Sequence, residues 1–239
     1  MEINNIDVIT FDADDTLWVN ESYFQETRYK FGKLLEDFMP YEQVEAELSK
    51  TEIQDLPLYG YGVKPFTLSM VETATRIAGS KTTGAMIDAV LALGREILNK
   101  PVEVIDGVED VLEELSPRFR LAVATKGDLL DQKRKLYKSG LINYFDHIEI
   151  MSDKKTRDYS NLMNIMDCKP DDFMMIGNSV RSDILPVLEL GGYAIHVPFS
   201  VTWDHEEVEG DIVHPKFKEI NNIREVLPLL DKHRIKKLA

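Results

Sequence analysis

The chain has 239 residues, 44% of them hydrophobic, which is enough for a sizeable core in one large domain or two small ones. A formal net charge of −14 argues against nucleic acid or an anionic membrane as a partner. The single cysteine, Cys168, excludes an intramolecular disulfide and fits a reducing cytoplasmic compartment; Met1 to Asn5 carry no signal-peptide pattern, and no apolar run is long enough to span a bilayer.

Ile6 to Phe11 is short, β-branched and flanked by polar residues, which predicts a buried strand. Three carboxylates follow it at once, in Asp12-Ala13-Asp14-Asp15-Thr16. From Val19 to Lys100 the pattern changes to helical spacing. Glu21 to Phe38 is predicted as a helix stopped by Pro40, Tyr41 to Glu52 as a second, and Phe66 to Ala78 and Gly84 to Asn99 as two more. The glycines and prolines of Asp55 to Pro65 predict a loop between them. Gly79 to Gly84 contains Ser, Lys and Thr but fails the order of a phosphate-binding loop, so it is read as a turn.

After Pro101, strands and helices alternate. Helices are predicted at Val108–Leu115, Leu129–Ser139, Tyr159–Met166, Ile184–Leu190 and Ile223–Leu230. Strands are predicted at Phe119–Ala124, Phe145–Met151, Phe173–Ile176 and Tyr193–Val197, with a short one near Ile212-Val213. Such alternation implies an α/β fold, a doubly wound parallel sheet covered on both faces, with an all-helical insert. The expected division is a core of residues 1–17 and 101–239 and a helical cap of residues 18–100.

Ligands of these sheets bind at the carboxyl ends of the strands. Asp12, Asp14, Asp15 and Thr16 fall at one such end, and Thr125, Lys126 and Gly127 at another. Lys154 and Lys155 follow a third, and Asn178, Ser179, Ser182 and Asp183 a fourth. Asp12 and Asp14 leave an extended backbone on the same side, and two close carboxylates favour a cation between them. Carboxylates for a hard divalent cation, with a hydroxyl and a lysine for an anion, are what phosphoryl transfer requires.

These four clusters, in this order, resemble the motifs of the haloacid dehalogenase (HAD) superfamily. Its Asp-x-Asp-x-Thr motif is matched at Asp12 to Thr16, its strand-terminal Thr or Ser at Thr125, its lysine at Lys154 or Lys155, and its acidic fourth motif at Gly177 to Asp183. The resemblance covers the whole chain if residues 18–100 are the cap that many members insert after the first motif. It implies Asp12 as nucleophile, Asp14 as general acid and base, and Thr125 and the lysine as phosphate ligands, with Lys154 favoured by its distance from Tyr159. It also implies Mg²⁺ as cofactor, held by Asp12, the carbonyl of Asp14 and Asp183, with Asn178 as a further donor where many members have Asp. Lys126, where many relatives have Asn, adds a positive charge beside the phosphate site; backbone N–H groups around Asp14 and Lys126 would complete the cradle, and Gly127 is a further candidate for substrate binding. Tyr59, Tyr61 and Lys64 are candidates for substrate contact from the cap.

An Asp at position 14 goes with phosphate esters rather than halides in this superfamily. The implied function is hydrolysis of a small phosphorylated metabolite; a phosphomutase and a non-catalytic metabolite-binding relative are the alternatives. Asp15 is read as structural, Asp153 as a helix cap or an aid to the lysine, and Trp203 to Glu206 as a stretch that could border the site. The five histidines, His147, His196, His205, His214 and His233, show no metal-ligand spacing and are read as structural.

Overall fold

The computed structural model describes residues 1, 3, 5–206, 208 and 210–230. Its contacts divide the chain into two compact units. The first comprises Met1–Glu21, Val102–Thr125 and Lys133–Ala239; the second comprises Ser22–Pro101 and Lys126–Gln132. Residues 126–132, which the sequence pattern assigns to the core, group with the second unit.

The first unit is built on a six-stranded sheet: β1 (Val8–Phe11), β2 (Arg120–Lys126), β3 (His147–Met151), β4 (Phe173–Gly177), β5 (Tyr193–His196) and β6 (Phe217–Glu219). The strand order is β3-β2-β1-β4-β5-β6, and the pairings β2-β1, β1-β4, β4-β5 and β5-β6 are parallel. Alternate residues serve opposite faces. Ile9, Phe11, Leu121, Val123, Met174, Ile176 and Ile195 join one core, and Val8, Ala122, Ala124, Phe173 and Met175 join the other. Burial on both faces is why these strands read as continuous apolar runs.

Helices α5 (Val108–Leu115) and α9 (Val226–Leu230) pack on the first face. Helices α7 (Thr156–Ile165) and α8 (Leu185–Leu190) pack on the second. The chain runs outward from β1 to β2 and β3, then returns to β4 on the other side of β1. That reversal opens a crevice at the carboxyl ends of the central strands.

The second unit contains α1 (Glu21–Leu34, from its second residue), α2 (Tyr41–Tyr59), α3 (Val63–Ala78) and α4 (Gly84–Asn99), and takes in the start of α6 (Leu129–Ser139). Phe31, Leu35, Val44, Leu48, Phe66, Met70, Ala74 and Val90 form its core. Polar pairs lie among the helices as well. Arg28 pairs with Glu45 at 2.8 Å and with Glu52, and Ser69 donates to Asp55 at 2.6 Å. Burial, partly offset by Arg28, pushes the Glu52 carboxyl up to about 7.

Two expectations are corrected here. The loop expected over residues 55–65 shrinks to residues 60–62: α2 continues through Pro57 to Tyr59, Gly60 N–H closes on Leu56 O at 2.9 Å, and α3 starts at Val63. Buried Glu52 and Asp55 hold that turn helical, so packing overrides the local breaker signal. The last strand is not at Ile212-Val213; it is Phe217–Glu219, which pairs with β5, while Val213 is 95% exposed. Ile220, buried just beyond that strand, anchors it, while Ile212 packs only partly buried against Ile184, Leu188 and Ala194. The stretch Gly79–Lys81 is a short 3₁₀ turn, and Thr83 caps α4 by accepting from Met86 N–H at 3.2 Å.

Candidate active site

Register carries the sequence motifs to one edge of the sheet. Phe11 pairs with Val123 on one side and Ile176 on the other, so Asp12, Thr125 and Asn178 all follow closely at the same end. Asp12 N–H donates to Ile176 O at 2.9 Å, which extends the pairing one residue beyond the strand.

Lys154 is the organising group. Its Nζ pairs with Asp12 Oδ1 and, at 2.7 Å, with Asp183 Oδ1. All three side chains are buried. Lys155 instead has a 76% exposed side chain and pairs with Asp153 at 2.8 Å. Burial pulls the Lys154 ammonium down, but the two carboxylates outweigh it and hold it protonated. Burial pushes Asp12 up to about 7 against the pull of Lys154, with Asp183 adding repulsion. One ammonium between two buried carboxylates leaves negative charge in excess.

Asp183 is fixed from several sides. Its Oδ2 accepts from Ser179 N–H at 3.0 Å, and Tyr159 Oη lies 3.3 Å from its Oδ1. It sits in a π-helical turn, Val180–Ile184, an insertion that often marks functional positions. Gly177 makes room for it: a Cβ there would stand 2.3 Å from Asp183 Oδ2. Gly177→Ala is therefore expected to cost about 1–3 kcal/mol in urea unfolding by overpacking, and to move the Asp183 carboxylate.

The side-chain amide of Asn178 presents one atom 3.2 Å from Asp12 Oδ2 and 3.2 Å from Asp14 O. With nitrogen there, both contacts are hydrogen bonds. With oxygen there, three oxygens converge, a donor set that suits a hard cation. Among the described residues no three His, Cys, Asp or Glu side chains could hold a metal by themselves. A cation at this point would draw on Asp12, Asp183, the Asp14 carbonyl and Asn178, completed by water.

Asp14 Oδ1 accepts from Trp18 Nε1 at 2.7 Å and from Lys135 Nζ at 2.6 Å. Asp15 turns away, at φ 62°, and its carboxylate accepts from Asn20 and Glu21 N–H at 2.8 and 2.9 Å. Those are orphan donors at the start of α1, so Asp15 caps the helix. Asp153 accepts from Lys154 N–H at 2.8 Å; the N-cap of α7 is Lys155, whose N–H donates at 2.9 Å to Asp158 in the helix's first turn. Glu206 accepts from the hydroxyls of Ser179 and Ser182, which brings Trp203–Glu206 against the Asp183 turn.

The expected substrate residues group in the second unit. Lys126 Nζ lies 4.1 Å from the centroid of the Tyr61 ring, and Lys64 pairs with Asp128 at 3.0 Å. Gly62, at φ 112°, lets the turn approach Asp128, whose N–H would be 3.0 Å from a Cβ. Gly127 has φ 121°, and Tyr59 ends α2 with its ring largely exposed.

Sequence reasoning passed over Trp18, Lys135 and His196. His196 Nε2 lies 2.9 Å from Asn178 O, and its Nδ1 lies 2.9 Å from Glu219 Oε2. No local pattern marks these residues: Lys135 and His196 are brought in from distant elements, and the Trp18 contact depends on a backbone turn. His147 pairs with Glu149 at 2.8 Å, His205 packs on Trp203, and His214 Nδ1 accepts from Lys216 N–H at 3.2 Å. His233 lies outside the described residues.

A solved haloacid dehalogenase-like family hydrolase from Xanthomonas campestris superposes with a TM-score of 0.84 at 32% identity, over 97% of each chain. N-acylneuraminate-9-phosphatase of Mus musculus is 24% identical over 80% of this chain and 82% of its own. Glyceraldehyde 3-phosphate phosphatase of Methanothermobacter thermautotrophicus is 30% identical over 47% of this chain, a match spanning only about half (53%) of that protein. The family model for haloacid dehalogenase-like hydrolases matches residues 6–191, so the chain belongs to that hydrolase family.

Proposed function

We propose that the protein hydrolyses a phosphate monoester of a small metabolite, with Mg²⁺ as cofactor. The observation that carries this reading is Lys154 bridging buried Asp12 and Asp183 beside the carbonyl of Asp14. The phosphatases among its relatives, named for an aldose phosphate and a sugar-acid phosphate, support the same substrate class.

In this reading Asp12 attacks phosphorus, the bond to the leaving oxygen breaks, and Asp14 supplies the proton. Water then attacks the aspartyl-phosphate, gives its proton to Asp14, and frees the Asp12 carboxylate. Thr125 and Lys154 bind the phosphate oxygens, and Lys154 keeps Asp12 in place. Mg²⁺, held by Asp12, Asp183, the Asp14 carbonyl and Asn178, would neutralise phosphate charge when bound. Lys126, Gly127, Tyr59, Tyr61 and Lys64 are assigned to the leaving group, and Lys126 favours a substrate with a second anionic group. Among the described residues no helix is long and apolar enough to cross a membrane.

Phosphate release from an aryl phosphate is expected to vanish in chelator and return with millimolar Mg²⁺. The same Mg²⁺ is expected to raise the melting temperature, since it binds the native state alone. Full activity in chelator would refute the metal assignment. Isomerisation of a sugar phosphate without release of free phosphate would favour the mutase alternative, and tight binding without turnover over a broad panel of phosphate esters would favour the non-catalytic one.

A further inference from the structure

Two donors hold the carboxyl group assigned to proton transfer. Trp18 Nε1 and Lys135 Nζ both donate to Asp14 Oδ1, at 2.7 and 2.6 Å. Lys135 also donates to Asn20 Oδ1 at 3.1 Å, so it spans the two ends of the segment that follows the nucleophile. Its side chain is only 14% exposed although it stands on α6, among Lys133, Arg134 and Lys138. Trp18 is itself rigid. It is fully buried, its carbonyl accepts from Asp15 N–H at 2.7 Å, and its backbone bridges Val104.

A carboxyl oxygen offers two in-plane acceptor positions. Two donors share Oδ1, and a proton exchanged in catalysis would be carried by Oδ2. Oδ1 remains an acceptor whether or not Oδ2 is protonated, so the clamp survives both halves of the cycle. Rotation of the carboxyl plane would break both bonds together.

We propose that Lys135, acting with Trp18, is a positioning residue that orients Asp14 so that Oδ2 meets the leaving-group oxygen. In the first half-reaction the proton on Oδ2 passes to the leaving oxygen as its bond to phosphorus breaks. In the second, Oδ2 takes a proton from the attacking water as the Asp12–phosphorus bond breaks. This rests on the phosphatase reading above. A simple surface ion pair would contribute about 0–1 kcal/mol to stability and nothing specific to proton transfer.

The test is kcat/KM over a series of aryl phosphates from 2,4-dinitrophenyl to phenyl, which reports on the first bond cleavage. Dinitrophenolate leaves without a proton; phenolate does not leave readily without one. Lys135→Met and Trp18→Phe are expected to lower kcat/KM about 10- to 100-fold at the phenyl end, as misplacement of a catalytic group does, and to leave the dinitrophenyl end unchanged. Lys135→Arg is expected to recover most of the loss. Equal loss across the series, or none, would overturn the proposal in favour of a structural role. Asp14→Asn is the reference: if it does not itself steepen the leaving-group dependence, the acid role of Asp14 fails, and the clamp with it.

Discussion

Asp12→Asn is expected to lower phosphate release by about 10³-fold or more, the scale on which enzymes lose a nucleophile, without loss of fold. The buried carboxyl has a folded-state pKa of about 7, above its ordinary 3.8. A raised carboxyl pKa lends stability that is complete below the unfolded value and is lost as the pH rises through the folded one. Between pH 4 and pH 7 the wild-type protein in chelator therefore loses stability through this group. Asparagine does not titrate, so the variant keeps it. Urea unfolding in chelator is expected to show the variant gaining on the wild type as pH rises from 5 to 8, by about 1–4 kcal/mol at about 1.4 kcal/mol per pKa unit. A variant with wild-type turnover would refute the nucleophile, and a stability difference independent of pH would refute the electrostatic picture.

Lys154→Met tests the other half of the pair. Methionine keeps most of the side-chain volume and removes the ammonium that bridges Asp12 and Asp183. Removing one partner of a buried ion pair leaves charge uncompensated and costs about 3–5 kcal/mol. The loss is expected in full at pH 8 in chelator and is expected to shrink towards pH 5, where Asp12 takes up a proton. Millimolar Mg²⁺ is expected to restore part of it, because a cation between the carboxylates replaces the missing charge. Phosphate release is expected to fall with the substitution and to stay low in Mg²⁺, since the phosphate oxygens have lost a ligand. Adding Asp12→Asn to Lys154→Met is expected to recover stability, an interaction that a double-mutant cycle measures directly. A Lys154→Met protein as stable as the wild type at pH 8 in chelator would contradict the arrangement.

The two predictions meet at a physical point about the site. A pocket with one more carboxylate than ammonium is held in tension until a cation arrives. Such sites are arranged for chemistry at some cost in stability, and substitutions in them can stabilise while they inactivate.

Much of this was legible because it is local. The apolar run before Asp12, the strand ending at Thr125 and the glycine after Ile176 each announce a strand terminus within a few residues. Order along the chain then placed them at one sheet edge, since a doubly wound sheet leaves few alternatives. The helical pattern of residues 84–99 and 108–115 was strong enough to fix those helices to the residue. Where local signals misled, packing was the reason. Pro57 reads as a breaker, yet the buried contacts of Glu52 and Asp55 carry α2 past it. Ile212-Val213 reads as a strand, yet the pairing with β5 goes to Phe217–Glu219.

The amino-acid sequence by itself determined the α/β class and marked Asp12, Asp14, Thr125 and Asp183 as candidates, because periodicity and strand-terminal polar residues are properties of short stretches. Only the tertiary structure shows Lys154 buried between Asp12 and Asp183 and Lys155 exposed. Neighbouring residues on an extended stretch point opposite ways, and nothing but the packing of distant elements says which way is inward. The same holds for Trp18, Lys135 and His196, whose partners lie 4, 121 and 18 positions away in the chain. The Lys135 and His196 contacts exist only because the sheet brings separate elements together. Trp18 stands near Asp14 in the chain, but its hydrogen bond depends on a backbone turn that the burial of Leu17 and Trp18 enforces.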